Sequence, residues 1–556
     1  MKNENGIEKS AILKGQTLVN IAPNMTQSSL TAGTRPWKFS GSGMVVGSVS
    51  DNKLKISTTI DGSMIVNGEV PNTMKPSTKY YVQVEVKNNS AHNLYFYKVS
   101  TQSINLTTGL NKFIITTVDD FNVNHMGIAM GNAGSVKSGT EFEFSNLMII
   151  EYQEGMENWD IPYFEGMQSV KMPVLTTTGK NLIDKDKLVD GFVRTDGTIG
   201  LPDYGNKTTG YIKVKPNTTY SYSTYNIDKT LAGNLLMDLW MYYSDIGTIS
   251  SVIQTRQQVN NMTTISFTTP SDCKYLRIGS RGLNQEGTYV QLEESSSITS
   301  YEPYKSNILT VNEEVELRGI GDVQDTLDLT TGELSSNFHK ITINGASKEV
   351  YTLEAVSETT ILFTYYDSRL TPTSSQGDVN NGVCDKLPYK FMWGTDAEGW
   401  FLSSNTDPRL SFRVKKDKLA TLDINGLRQY LSENPLTFIT KNEKTVKTVD
   451  LSSNHVYSYK DTTHYDCSSA EGSLVPTLSL DVPTKLNALV ARQKDTIQEL
   501  TQENESLKAA QQILLNSQLS FYETLVSAIP ALAPTEGQVN IPDFIQDLYR
   551  LKNNQK

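Results

Sequence analysis

The run LWMYYSD arranges aromatic side chains in a way that can do chemistry. On a strand, alternation puts Trp240 and Tyr242 on one face and Met241 and Tyr243 on the other. Flat rings on an open face stack against the CH faces of a sugar and bury them from water. Trp37 and the run LYFYK offer the same chemistry, with Tyr95 and Tyr97 together opposite Phe96. Arg277, in KYLRIGS, can donate a pair of hydrogen bonds to a phosphate or carboxylate of a polymer. The competing reading is core packing for each ring, and a solvated strand position for Arg277. Trp240 and Tyr242 rank first because their run has no counterpart in a sister segment of the chain.

Catalytic constellations are missing. There is no GxSxG, HExxH, Walker loop or dinucleotide fingerprint, and His92, His125, His339, His455 and His464 stand apart from any nucleophile motif. A non-enzymatic protein is expected. Two carboxylates about 5–10 Å apart would suffice for a glycosidase, so a wall-glycan depolymerase stays as an alternative. Cys273, Cys384 and Cys467 are too few and too scattered for a disulfide framework. His464 and Cys467 form an HxxC pair, but two ligands do not make a tetrahedral zinc site. In DKDKLVDG the acidic spacing is not that of an EF-hand, and Thr195 stands where the bidentate Glu belongs. No metal or cofactor is expected. If a structural calcium were present, Glu151 and Glu293, which end two matching strands, are where it would be sought.

The net charge of −11 comes with scattered Lys and Arg, which excludes a phosphate-tracking surface for nucleic acid. No run approaches 18 uninterrupted apolar residues, and the first 20 residues carry no apolar core of the signal-peptide kind. A chain made in the cytoplasm, without a membrane span, is expected.

These candidate residues must be held by elements, and the elements come in duplicate. KPSTKYYVQVEV, with Pro76 and Tyr80, is answered by KPNTTYSYSTYN, with Pro216 and Tyr220. Pro162-Tyr163 is answered by Pro303-Tyr304, FIITTVDDF by ISFTTPSDC, and IAMG by RIGS. Each copy reads as short alternating strands divided by turn clusters, closing on LMIIE or YVQLE. Many strands and few helices predict two tandem jelly-roll β-sandwiches.

The pattern resembles the carbohydrate-binding-module-like jelly-rolls of phage tail and baseplate proteins, of the receptor-binding type, from phages of Gram-positive bacteria. FEGMQSVKMPVLTTTGKNLID, VELRGIGDVQDTLDLTTGEL and LRQYLSENPLTFIT are similar to segments of the same family. The resemblance covers most of residues 1–480. It implies a virion protein, with other tail or baseplate proteins and a host cell-wall polysaccharide or teichoic acid as partners. A purely structural spacer in the tail is the alternative within the same family.

Downstream, TLDLTTGELSS predicts a hairpin with Gly332 at positive φ. DINGLRQYLSENP predicts a short helix capped by Asp423 or Asn425, with Leu427, Tyr430 and Leu431 on one face and Pro435 as the stop. From 484 a 4,3 spacing sets in. Leu486, Val490, Ile497, Leu500, Asn504, Leu507, Leu514, Phe521 and Leu525 fall on it, with Gln493, Gln511 and Gln518 in the same register. That is a coiled-coil seam, and self-association covers it. The seam residues leave dimer or trimer open; the resemblance implies a homotrimer. Ile541, Phe544, Ile545, Leu548 and Leu551 then share a face of a last amphipathic helix.

The expected organisation is mainly β. It runs as an N-terminal segment (1–20), jelly-roll one (21–165), a linker (166–180) and jelly-roll two (181–307). A β-rich α+β domain (308–482), a coiled coil (483–529) and a linker with the amphipathic helix (530–556) complete it.

Overall fold

A computed structural model describes residues 10–22, 37–41, 45–50, 53–58, 61, 64–69, 74–88, 92–97, 100, 103–119, 125–130, 137–201, 206–225, 237–256, 262–281, 287–347, 350–370, 381–389, 396–402, 409–452, 456–459, 462–470, 472–481 and 486–528. The expected amphipathic helix at 541–551 lies outside them. The chain divides into a large β-rich unit, Met1–Leu480, and a second unit, Asp481–Lys556.

The first module has two five-stranded antiparallel sheets. One runs Gly109–Thr116, Lys79–Asn88, Glu141–Glu151, Lys53–Thr58, Val45–Ser50; the other runs Trp37–Gly41, Met64–Glu69, His125–Met130, His92–Tyr97, Ser103–Leu106. In KYYVQVEVKN, alternation sends Tyr80, Val82, Val84 and Val86 to one face, all buried. In the second module, Met262–Thr268, Thr219–Tyr225 and Tyr289–Glu293 form one sheet. It faces a larger sheet containing Asn206–Thr208, Tyr275–Arg281, Met237–Asp245 and Thr248–Arg256. Tyr220, Tyr222 and Leu292 of the first pack on Tyr242, Leu276 and Ile278 of the second, which makes a two-sheet sandwich.

The duplication repeats bond by bond. The Lys75 amide donates to the Tyr80 hydroxyl at 2.8 Å, and the Lys215 amide to the Tyr220 hydroxyl at 2.9 Å. Thr117 Oγ1 donates to the Lys75 carbonyl at 2.7 Å, as Thr269 Oγ1 does to the Lys215 carbonyl at 2.6 Å. Both Lys-Pro turns pass through the left-handed region, at Ser77 (φ 48°) and Asn217 (φ 49°). In each module a lysine then meets a glutamate of the closing strand: Lys75 with Glu151 at 2.8 Å, Lys215 with Glu294 at 2.9 Å.

That geometry corrects the sequence pairing of Glu151 with Glu293. Glu151 lies opposite Tyr80, whereas Glu293 lies opposite Ser221, one residue past Tyr220. A one-residue slip reverses the face, and Glu294 is the true counterpart. Glu293 is buried instead and accepts from Gln291 and Thr299.

The segments expected as an N-terminal piece and a linker are strands. Ser10–Lys14 pairs with Thr326–Asp328, and Met167–Lys171 lies between Thr17–Val19 and Glu316–Leu317. Val174–Thr178 lies between Ser306–Thr310 and His464–Ser468. Together they form a central layer whose core joins Leu13, Leu18, Val170, Leu175, Leu317 and Leu327. Tyr81, Met148 and Ile150, on the outward face of the first sandwich, pack into the same core. Short strands cannot bury an apolar face alone, so four distant stretches of chain share one. Asp160 adds a tie between the sandwiches, 3.7 Å from Lys112 of the first and 3.1 Å from Lys274 of the second.

The stretch 308–482 is accordingly divided. Part of it belongs to the central layer; the rest is a sheet of Val350–Val356, Thr360–Tyr366, Arg409–Lys415 and Gly399–Leu402 with its own core around Trp400, Phe412 and Phe438. The hairpin forms as expected, with Gly332 at φ +74°. Helix α1 spans Ile424–Glu433, and Asp423 caps it by accepting from the amides of Asn425 and Gly426. Leu427 and Leu431 are its buried contacts.

The second unit contains helix α2, Leu486–Ala528, 43 residues long. No helix among the described residues is long and apolar enough to cross a membrane.

Candidate functional site

A cleft of about 540 Å³ opens where the second sandwich meets the central layer. Residues 209–215 form one wall. The His464–Ser468 strand, laid against Val174–Thr178, supplies the other through His464, Tyr465 and Asp466. The size is that of a small-molecule site with polar groups spaced around an apolar lining.

Tyr211 is its most accessible ring, 37 % exposed. It is held rather than loose. The Arg277 guanidinium lies 4.8 Å from its ring centroid, and Tyr243 and Tyr275 meet it nearly edge-on at 5.0 and 6.2 Å. Arg277 Nε donates to the Thr209 carbonyl at 3.2 Å, which anchors the guanidinium beneath the wall.

Charged groups around the cleft come in pairs. Lys187 sits 3.4 Å from Asp184, Lys215 sits 2.9 Å from Glu294, and Lys213 reaches across the cleft to Asp466. His464 Nδ1 lies 3.7 Å from Glu294 Oε2. Burial holds the His464 imidazole below its ordinary pKa; Glu294 pulls the other way, and Lys215 adds to the lowering. Burial also pushes the Tyr220 phenol, at the base of the corner, up to about 12. Among the described residues no three His, Cys, Asp or Glu side chains converge as metal ligands do. Glu151 is ion-paired with Lys75.

The rings singled out from the sequence fare differently. Tyr242 is 1 % exposed and belongs to the sandwich core, so it offers no face to a ligand. The strand that carries it is covered on both sides. Tyr242 packs inward, while Met241 and Tyr243 pack against Val193 and its neighbours Phe192 and Ile199. Sequence alternation assigns the inward face but is blind to the Val193↔Ile199 loop that closes the outer one. Arg277 is not solvated either: it is only 7 % exposed, and its guanidinium lies over the Tyr211 ring. Trp240 lies on its strand opposite Ile278, Tyr95 opposite Ala129, Tyr97 opposite Gly127 and Trp37 opposite Gly68; their side chains lie outside the described residues.

Tyr211, Lys213 and Asp466 were missed by sequence reasoning. Lys213 and Asp466 are 253 positions apart, and only the fold brings them together. The HxxC pair lies on the strand that lines the far side of the cleft.

No known protein family matches the sequence, and no curated protein matches it. Among solved structures, "CBM4 structure and function" aligns with 24 % of this chain and 99 % of its own, at 15 % identity and a TM-score of 0.19. A family 29 carbohydrate-binding module from Piromyces equi aligns with 26 % of this chain and 97 % of its own, at 13 % identity and TM-score 0.18. The N-terminal CBM22-1–CBM22-2 tandem domain of Paenibacillus barcinonensis Xyn10C covers 49 % of this chain and 97 % of its own, at 9 % identity and TM-score 0.16.

On α2, Ile497, Leu500, Leu507, Leu514 and Phe521 are 59–63 % exposed in the single chain. Asn504 of the same register is exposed too. The side chains of Leu486, Val490 and Leu525 lie outside the described ones. Among the described side chains of the helix Leu519 is buried, off the 4,3 register, and the heptad pattern gave no sign of it.

Proposed function

We propose that this chain is a phage tail component, of baseplate or fibre type, that attaches as a homotrimer to glycan on the surface of a Gram-positive host. It binds and does not cleave. The reading places it in the virion, beside other tail or baseplate proteins.

The observation that carries it is the apolar stripe on α2. Five large side chains at heptad spacing stand in solvent on α2, and a seam of this kind is covered when copies pair along it. Copies joined in this way present several sandwiches at once. Weak contacts with a repeating polymer, each of about millimolar strength, then add to firm attachment. The tandem sandwiches and the polar, ring-bearing cleft support glycan as the ligand. The phage assignment rests on the sequence resemblance.

A spacer role is favoured for the first module alone. Its outward sheet face is taken up by the central layer through Tyr81, Met148 and Ile150.

The test is adsorption of labelled full-length protein to a panel of Gram-positive cells, with purified wall polysaccharide as competitor. Saturable, competed binding that weakens in a seam double variant, Leu507→Lys with Leu514→Lys, supports a multivalent adhesin. An oligomer that binds no cell on the panel turns the assignment to the structural spacer. Release of reducing ends from the wall turns it to a depolymerase.

A further inference from the structure

The same corner exists twice, and the two copies differ in how far the glutamate is covered. In the first module Lys75 and Glu151 pair with side chains 53 % and 55 % exposed. In the second, the equivalent Lys215 stays 65 % exposed while Glu294 falls to 28 %, in the cleft, with His464 of a strand some 250 residues past Lys215 beside it. The first module holds its Lys-Pro turn with the same bonds while leaving its glutamate half exposed. The added cover therefore serves something other than the turn.

We propose that this cleft binds a short stretch of uncharged saccharide. The inference rests on the reading of the chain as a glycan-binding protein and assigns the site and the class of sugar.

Charge decides the class. Lys187, Lys213 and Lys215 are each matched by a carboxylate, Asp184, Asp466 and Glu294. Three lysines against three carboxylates leave the lining electrically balanced, so it offers a phosphate polymer no net positive charge. A sugar hydroxyl both donates and accepts. It can accept from a lysine and donate to the partner carboxylate without separating them.

Shape agrees. Tyr211 is clamped by Arg277, Tyr243 and Tyr275 before any ligand arrives, so little side-chain freedom remains to be lost on stacking. Hydroxyl-bonding groups beside a fixed ring suit a pyranose, which has an apolar face and a polar rim.

Two variants isolate the site. Tyr211→Ala removes the ring. Gly210→Leu fills the cleft from its wall, where a Cβ meets nothing within 4 Å, so the fold tolerates it. Wall polysaccharide from the cells that adsorb the protein is separated into uncharged and phosphate-bearing fractions, and each is titrated calorimetrically into the full-length chain. The expected result is binding of the uncharged fraction, weakened at least tenfold by either variant, with the melting temperature unchanged in Gly210→Leu. Unaltered binding by both variants overturns the site and leaves the glycan-binding reading standing. Binding of the phosphate-bearing fraction alone overturns the sugar class. Binding of neither fraction overturns both.

Discussion

Asn20 and Asn181 hold the two sandwiches shut with the same four bonds. Asn20 Nδ2 donates to the carbonyls of Leu147 and Phe164, and its Oδ1 accepts from the amides of Ile149 and Ala22. Asn181 Nδ2 donates to Val290 and Glu302, and its Oδ1 accepts from Leu292 and Ile183. Each side chain spends most of its bonding capacity on the closing strand of its module and the bend beyond it.

Replacing either asparagine by alanine strands buried amides and carbonyls. The expected cost is about 3 kcal/mol per site. Urea unfolding of Asn20→Ala and Asn181→Ala measures it. A loss under 1 kcal/mol at both sites would mean that the clamp is decorative.

The repeat was legible at the Lys-Pro turns and the Pro-Tyr exits because those are turn residues with fixed backbone demands. The asparagines were not legible: Asn20 and Asn181 precede the repeated landmarks and nothing in their neighbours marks them. The α1 cap and the Gly332 hairpin could be read because their causes are local. The central layer could not, since it pairs Ser10–Lys14 with Thr326–Asp328 across most of the unit. The site suffered for the same reason. Local alternation nominated Tyr242, but non-local cover decides which face of a strand meets solvent.

The central layer depends on a close backbone crossing. At Gly15 an added Cβ runs into the backbone at Leu317 and Arg318, and at Gly319 into the Gly15 carbonyl. Backbone cannot step aside as a flexible side chain does. Gly15→Ala is expected to cost about 3 kcal/mol and to lower the melting temperature of the whole large unit. A melting curve matching wild type would show that the strands separate cheaply there.

Lysines of the two modules differ in worth. Lys75 pairs with Glu151 in solvent, so Lys75→Ala is expected to cost under about 1 kcal/mol. Lys180 is 5 % exposed, lies 3.0 Å from Glu302 and donates to the Ser300 carbonyl at 2.8 Å. Removing it strands a carboxylate and a carbonyl, and about 3 kcal/mol is expected for Lys180→Ala. Denaturation of the two variants side by side decides; equal losses would refute the difference in burial.

Acid is expected to loosen the cleft through His464. Its folded pKa lies below the unfolded value of 6.5, chiefly by burial. Below 6.5 the unfolded chain takes up the proton more readily. The group's contribution is thus complete above 6.5 and is lost as pH falls through that value toward the folded pKa. An NMR titration of the His464 ring should give a midpoint under 6.5, and His464→Gln should reduce the loss of stability on acidification. A midpoint at or above 6.5 contradicts the burial argument.

The α2 stripe sets the remaining test. Ile497, Leu500, Leu507, Leu514 and Phe521 recur at the spacing that keeps one side of a helix facing a partner, and Asn504, Gln511 and Gln518 interrupt the apolar run. A polar residue at such a position fixes register and copy number at some cost in stability. Sedimentation equilibrium of the full chain should therefore give a single discrete oligomer, three copies on the present reading. Leu507→Lys with Leu514→Lys buries like charges in the seam and should shift the chain to monomer, with the melting of the β-rich unit unchanged. Asn504→Leu should instead keep the assembly and loosen its copy number, giving mixed species. A wild-type chain that sediments as a monomer at tens of micromolar would remove the basis for multivalent attachment.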